Sequence, residues 1–280
     1  MSNFQAFAVR GKSSPVVTLQ AGVDFGGFYW TTTSRRAAKV AALRRDSSAS
    51  VLSRKDDSWR LRAGHAVVID VTRPPEGVRE LPVFALAGSA LALIAVRYPE
   101  QLIGYVFDAA STPKAWRLNH RILIAVRHEE EIVWTDDGVI TFQTDRFRHD
   151  PKVNRTAARP TKRRSIGQHE NDASLLDLDC KCWLGLDTDA GPIALPGGWT
   201  ATSSAVDVQA PVLAAVNARL PGSACVTIDD SDSPRPSDKS GIIARGNASL
   251  SRIRAGVASI AVDVDSTTTW KGFRSTEVAA

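Results

Sequence analysis

Ser34, Arg35, Arg36 and Lys39 are the residues whose types and spacing best suit this chain to chemistry. They follow the strand-like run GGFYWTTT and lead into the Ala-rich stretch AAKVAALRR, which predicts a helix starting here with Thr33 or Ser34 as its N-cap. The first amides of a helix lack intrahelical partners and its N-terminal end carries partial positive charge, so an anion is favoured there. The hydroxyls of Thr32, Thr33 and Ser34 can donate to it. Arg35 and Lys39 are four apart and share one helical face. Positive charge in a first turn opposes the helix dipole unless something negative is bound. A solvated cationic face is the other reading of the same residues.

The elements that must position these residues occur twice. Trp30 followed by TTTS has a counterpart in Trp199 followed by TATSS, and the patterns from Ala41 and Ala214 each run from a short helix into a strand. Strands with an embedded glycine follow, at Gly64 and Gly246. Ile124, Ala125, Val126 and Trp134 then match Ile260, Ala261, Val262 and Trp270, all 136 positions apart. The two glycines are 182 apart, so the first copy holds about 46 additional residues, from roughly Arg73 to Trp116. Runs such as AFAVRG, PVVTLQ and RILIAVR are β-branched or aromatic and bounded by turn residues, the pattern of a small antiparallel barrel.

The expected fold is therefore mainly β with some α: two fused split β-barrels forming a pseudo-dimer within one chain, with a helical insertion in the first. The units are a first barrel over 1–140, a basic flexible linker over 141–172 and a second, degenerate barrel over 173–280. The chain carries +5 overall, but the segment 146–164 alone carries +7, so the remainder is acidic. Nucleic-acid binding or scaffolding through that linker is the weaker reading of the charge. The apolar run from Leu81 to Val96 contains Pro82 and is short of the ~20 residues that cross a bilayer, so a buried helix is expected and no membrane partner. Three cysteines without a regular framework and no apolar leader behind the first residues point to a cytoplasmic protein.

From Phe28 to Ile69 the first copy resembles the split β-barrel family of pyridoxamine 5′-phosphate oxidase relatives, including flavin- and deazaflavin-dependent oxidoreductases. The resemblance covers residues 1 to about 136, and the second copy loosely. It implies a phosphate site at Thr31, Thr32, Thr33, Ser34, Arg35, Arg36 and Lys39, with Arg62 on an adjoining strand. It also implies FMN, or the deazaflavin coenzyme F-420, as cofactor and hydride transfer to or from a small-molecule substrate. A haem-binding or cofactor-storing barrel is the alternative within the same fold. Family members pair across the cofactor, so the second copy should supply a wall, with Trp270 and Lys271 as candidates. Since no Arg or Lys occurs from Thr200 to Val216, one phosphate site per chain is expected. With the chemistry resident on a flavin ring, no catalytic side chain is assigned.

Other motifs do not rise above structural roles. Cys180 and Cys182 with His169 lack the spacing of a zinc site. No Walker sequence, dinucleotide fingerprint or G-x-S-x-G elbow is present. Glu129, Glu130 and Glu131 read as a solvated hairpin.

Overall fold

In a computed structural model, alternate residues of the first strand face two different cores. Ala6 and Ala8 turn to one, Phe7 and Val9 to the other, and all four are buried. Burial on both faces explains why the strands read as nearly continuous apolar runs rather than a polar alternation. The residues described are 5–55, 57–72, 81–108, 110–117, 120–136, 138–147, 182–201, 205–210, 218–229, 235–254 and 257–279. The expected linker falls outside them from residue 148 onward, as do residues 214–217 of the second copy's expected helix.

The first sheet comprises β1 (Gln5–Arg10), β2 (Pro15–Gln20), β3 (Gly22–Phe25), β4 (Phe28–Ser34), β5 (Ser48–Lys55), β6 (Ser58–Ile69), β7 (Arg121–Thr135) and β8 (Ile140–Gln143). The second comprises β9 (Cys182–Thr188), β10 (Gly191–Pro196), β11 (Gly198–Ala201), β12 (Ala205–Ala210), β13 (Gly222–Asp229), β14 (Ser240–Arg254), β15 (Val257–Lys271) and β16 (Arg274–Ala279). Strand order in the first is β2-β1-β5-β6-β7-β4-β3 with β8 on β7. In the second it is β10-β9-β13-β14-β15-β12-β11 with β16 on β15. Each place in one sheet is thus taken by the strand eight later in the other, and every pairing is antiparallel. The chain is two fused split barrels.

Register fixes the repeat residue by residue. Gly64 lies opposite His128 at a bulge in the β6–β7 ladder, and Gly246 lies opposite Val264 at a bulge in β14–β15. A side chain at Gly64 would meet the Arg127 carbonyl oxygen at 1.9 Å, and one at Gly246 the Asp263 carbonyl oxygen at 1.8 Å. Both bulges therefore require glycine. One expected match shifts. Trp30 lies in β4, whereas Trp199 lies in β11, the counterpart of β3; Trp30 pairs with Ala125 and its true equivalent, Asp207, pairs with Ala261. The Trp-Thr pattern of β4 (FYWTTTS) recurs in β11 (GWTA), whereas the true equivalent, β12 (AVDVQA), has neither residue, which allowed the one-strand slip.

Phe7, Val9, Tyr29, Val51, Ile124 and Val126 fill the first barrel, and helix α1 (Ala38–Arg45) closes it with Ala42 and Leu43. Leu52, Leu61, Ile132 and Trp134 face the other way and share a core with Leu184, Leu186, Ile193 and Val226 of the second sheet. Each such buried side chain contributes roughly 1.5–3 kcal/mol, so this layer is the main attachment between halves. Thr227 adds a buried hydrogen bond to the Val17 carbonyl oxygen at 2.9 Å. The acidic triplet lies within β7 rather than in a hairpin turn, and Glu131 pairs with Arg60 at 3.1 Å.

The insertion between β6 and β7 forms α2 (Leu81–Arg97) and α3 (Pro99–Phe107), bent at 83° where Pro99 begins the second helix. Val83, Ala87, Ala90 and Ile94 fall on one face of α2 and pack against Trp30, Ile69, Leu123 and Ala125. The expected buried helix is buried on that face only; Leu91, Leu93 and Val96 on its other sides are exposed. Among the described residues no single helix is long and apolar enough to cross a membrane. At the end of α3, the carboxylate of Asp108, 1% exposed, accepts hydrogen bonds from Arg235 and from the amide and hydroxyl of Ser237 at 2.9–3.3 Å. The second half thereby holds the tip of the first half's insertion.

Candidate functional site

Alternation along β4 divides the expected hydroxyl cluster. Thr31 lies on the same side as Tyr29, and its hydroxyl meets the Gln20 side-chain oxygen at 2.8 Å and the Ala21 carbonyl at 2.7 Å. Thr33 is buried on that side too. Thr32 and Ser34 lie on the opposite face with Trp30. The expected N-cap is corrected as well: Ser34 is still paired in β4 with Arg121, and α1 begins at Ala38 with Ala37 as a cap that makes no side-chain hydrogen bond. The strand ladder runs through Ser34 and a turn at Arg35 and Arg36 follows, so the cap falls three residues beyond Ser34. Ser34 instead accepts a hydrogen bond from the Arg36 amide at 3.3 Å.

The three expected cations point in three directions. Arg35 pairs with Asp70 at 2.8 Å and donates to Thr72 at 3.0 Å. Arg36 is exposed. Lys39 donates to the Thr18 hydroxyl at 2.9 Å, and burial, with the nearby charge of Arg121, pulls its ammonium down to about 7. Arg62, buried in β6, pairs with Asp24 at 2.8 Å. Burial would raise the Asp24 pKa, but the nearby His128 ring, 3.7 Å away, and the hydrogen-bonded Arg62 guanidinium outweigh it and hold it at about 2. Trp270 lies opposite Gly241 in the β14–β15 ladder and packs at the margin of the shared core. Lys271 is exposed.

The residue that organises a site is Arg121, the first of β7, which carries no motif. Its guanidinium donates to the Thr32 hydroxyl from Nε at 3.0 Å and Nη2 at 2.8 Å, and to the Thr32 carbonyl oxygen at 2.8 Å. It donates to the Tyr105 hydroxyl at 2.6 Å and lies 5.1 Å from that ring's centre. No carboxylate among the described residues forms an ion pair with it. Lys239 of the second half is near enough that the charge of Arg121, after burial and against Asp229, depresses its pKa. The repeat could have exposed this position: β7 and β15 align at 136 residues, which sets Arg121 against Val257.

Arg121 lies at one end of a pocket of about 400 Å³ between α2, α3 and the ends of β4 and β7. Leu91, Ile94, Leu102, Ile122 and Leu123 give it apolar walls, while Thr32, Gln101 and Tyr105 join Arg121 as polar groups. Of the nine expected site residues, Thr32 lines it. The Tyr105 and Thr32 hydroxyls accept from Arg121, which leaves their own protons free to donate, and Nη1 retains one N–H. The arrangement suits an anionic oxygen group on an apolar body. Among the described residues no cluster of His, Cys, Asp and Glu could hold a metal ion. Cys182 and Cys225 are buried in the shared core; Cys180 lies outside the described residues.

No protein-family model matches the chain, and no curated protein matches it. Several solved structures share the split-barrel fold over about half of it. A pyridoxamine 5′-phosphate oxidase-related, FMN-binding protein from Nostoc punctiforme is 12% identical over 48% of this chain and 75% of its own, with a TM-score of 0.36. An F-420 reductase is 13% identical over 46% of this chain and 87% of its own, with a TM-score of 0.31. A haem storage protein from Vibrio cholerae is 14% identical over 48% and 85%, with a TM-score of 0.32.

Proposed function

We propose that the chain binds one phosphorylated flavin-type cofactor, FMN or F-420, in the Arg121 pocket and uses it to oxidise or reduce a small organic molecule. The observation that carries this reading is a half-buried guanidinium with no carboxylate partner among the described residues, at the end of an apolar pocket. A cation so placed, with two hydroxyl donors beside it, is matched by a phosphate. Arg121, Thr32 and Tyr105 would hold the phosphate, with Lys239 of the second half adding positive potential. The leucine and isoleucine walls would exclude water from the ring. The flavin would supply hydride transfer when bound. Thr32 remains from the expected phosphate set, with Ser34 and Arg36 next to it in sequence; Arg35 could join only by leaving Asp70. The haem alternative would have to use a tyrosine, since the pocket lining contains no His, Cys or Met, and the Tyr105 and Tyr98 hydroxyls are engaged with Arg121 and the Gly22 carbonyl.

Titrating the purified chain with FMN and with F-420, followed by cofactor fluorescence, tests the reading. Saturable binding of one of them is expected, and Arg121→Ala should weaken it by roughly a hundredfold, the scale of a charge-assisted phosphate contact. Saturation by neither cofactor, or unchanged affinity in Arg121→Ala, would refute it.

A further inference from the structure

Eight of the fourteen exposed large apolar side chains among the described residues lie on α2 and α3. On α3, Leu102, Ile103, Val106 and Phe107 form one stripe at helical spacing, with Val106 68% and Phe107 72% exposed. Val96 of α2 is 79% exposed. A helix on the surface of a globular protein normally turns charged residues to solvent. Here the two helices together carry one cation and one acid, Arg97 and Glu100. Apart from exposed Ser89 and half-buried Gln101, the rest of their outward surface is apolar, and a contiguous patch of this kind marks an interaction face.

We propose that this α2–α3 face docks onto an anionic lipid surface. Three observations favour lipid over a protein partner. Arg97, Lys114 and Arg117 are exposed on α2 and just beyond α3, against the single exposed acid Glu100, Asp108 being buried and paired with Arg235. That charge complements anionic headgroups. Phe107, 72% exposed, ends α3 and adds an aromatic ring to this face, the residue type favoured at a membrane–water interface. Finally, Val71, Leu91 and Leu102 both line the Arg121 pocket and are exposed, so the pocket opens on this same face. A folded partner seated there would close the mouth, whereas a bilayer surface would leave it open to apolar molecules. Neither helix alone is long enough to cross a bilayer, and the two meet at 83°.

Co-sedimentation of the full chain with vesicles of phosphatidylcholine alone, and of phosphatidylcholine with phosphatidylglycerol, tests this. The chain should pellet with the phosphatidylglycerol vesicles, less so at high salt, and weakly with phosphatidylcholine alone. The double variant Val106→Asp, Phe107→Asp should bind at least roughly tenfold more weakly. Its thermal melt and cofactor affinity should be unchanged, because neither side chain belongs to a core cluster; Val96→Asp is the independent second variant. The proposal is overturned by three outcomes: no pelleting with anionic vesicles, both variants pelleting like the parent, or a parent dimer that the variants convert to monomer. Cofactor binding is measured separately, so its loss or persistence leaves this result readable.

Discussion

The two halves share strand order, bulges and register, yet differ at the corner where β4 meets β7. In the first half Thr32 pairs with Leu123 and carries Arg121 on its hydroxyl and carbonyl. In the second, Gln209 pairs with Ser259 in the same place and Val257 replaces Arg121. Arg62, buried against Asp24 in the first half, has Ala244 as its counterpart. About 50 residues of helix and loop separate β6 from β7, while β14 and β15 adjoin almost directly. What both halves retain maintains the barrel; of what one half retains, Thr32, Arg121 and the helical insertion line the pocket, while Arg62 lies farther along the sheet opposite Glu131. The second half contributes to that pocket from outside, through the Asp108 latch and the charge of Lys239.

The largest effects should come from the shared features. Gly64→Ala and Gly246→Ala each force a side chain onto a carbonyl oxygen, and each should lower stability by roughly 2–4 kcal/mol in urea denaturation. Similar losses at both sites are expected. A large loss at one and none at the other would break the equivalence of the bulges.

A smaller effect should separate the halves. Arg62→Met removes the partner of half-exposed Asp24 and should cost about 1–2 kcal/mol at neutral pH, water screening the remaining charge. Because the Asp24 pKa is depressed to about 2, its contribution is present above the ordinary carboxyl value of 3.8 and is lost as pH falls from there through 2. The stability gap between parent and Arg62→Met should narrow over that window. A gap independent of pH would show that Arg62 acts through packing alone. The smallest effect is expected at Arg36, which is exposed: Arg36→Ala should change cofactor affinity less than about threefold, as for a screened surface charge. A loss matching that of Arg121→Ala would restore the helix start as the anchor.

Much of the barrel was legible because its periodicity is local and repeated. The 136-residue offset from Ile124 to Trp134 defines two strands of identical length, and the two glycines mark two equivalent bulges. Trp30 was harder, since its Trp-Thr pattern recurs one strand away, in β11, and is absent from its true counterpart β12. The site was less legible for a different reason. A run of Ser, Arg and Lys before an Ala-rich helix reports local charge, but β4 pairing through Ser34 delays the helix, and partners distant in sequence claim the cations: Asp70 for Arg35, Thr18 for Lys39. Arg121 has no local signature at all. Its significance comes from Thr32 and Tyr105, 89 and 16 residues away.

Calorimetric titration of the intact chain with whichever of FMN or F-420 binds tests the central claim most directly, because it counts sites. One equivalent per chain, abolished or weakened roughly a hundredfold in Arg121→Ala, is the predicted result. Two equivalents per chain, or one that persists unchanged without Arg121, would contradict the assignment of a single anion site to the first half.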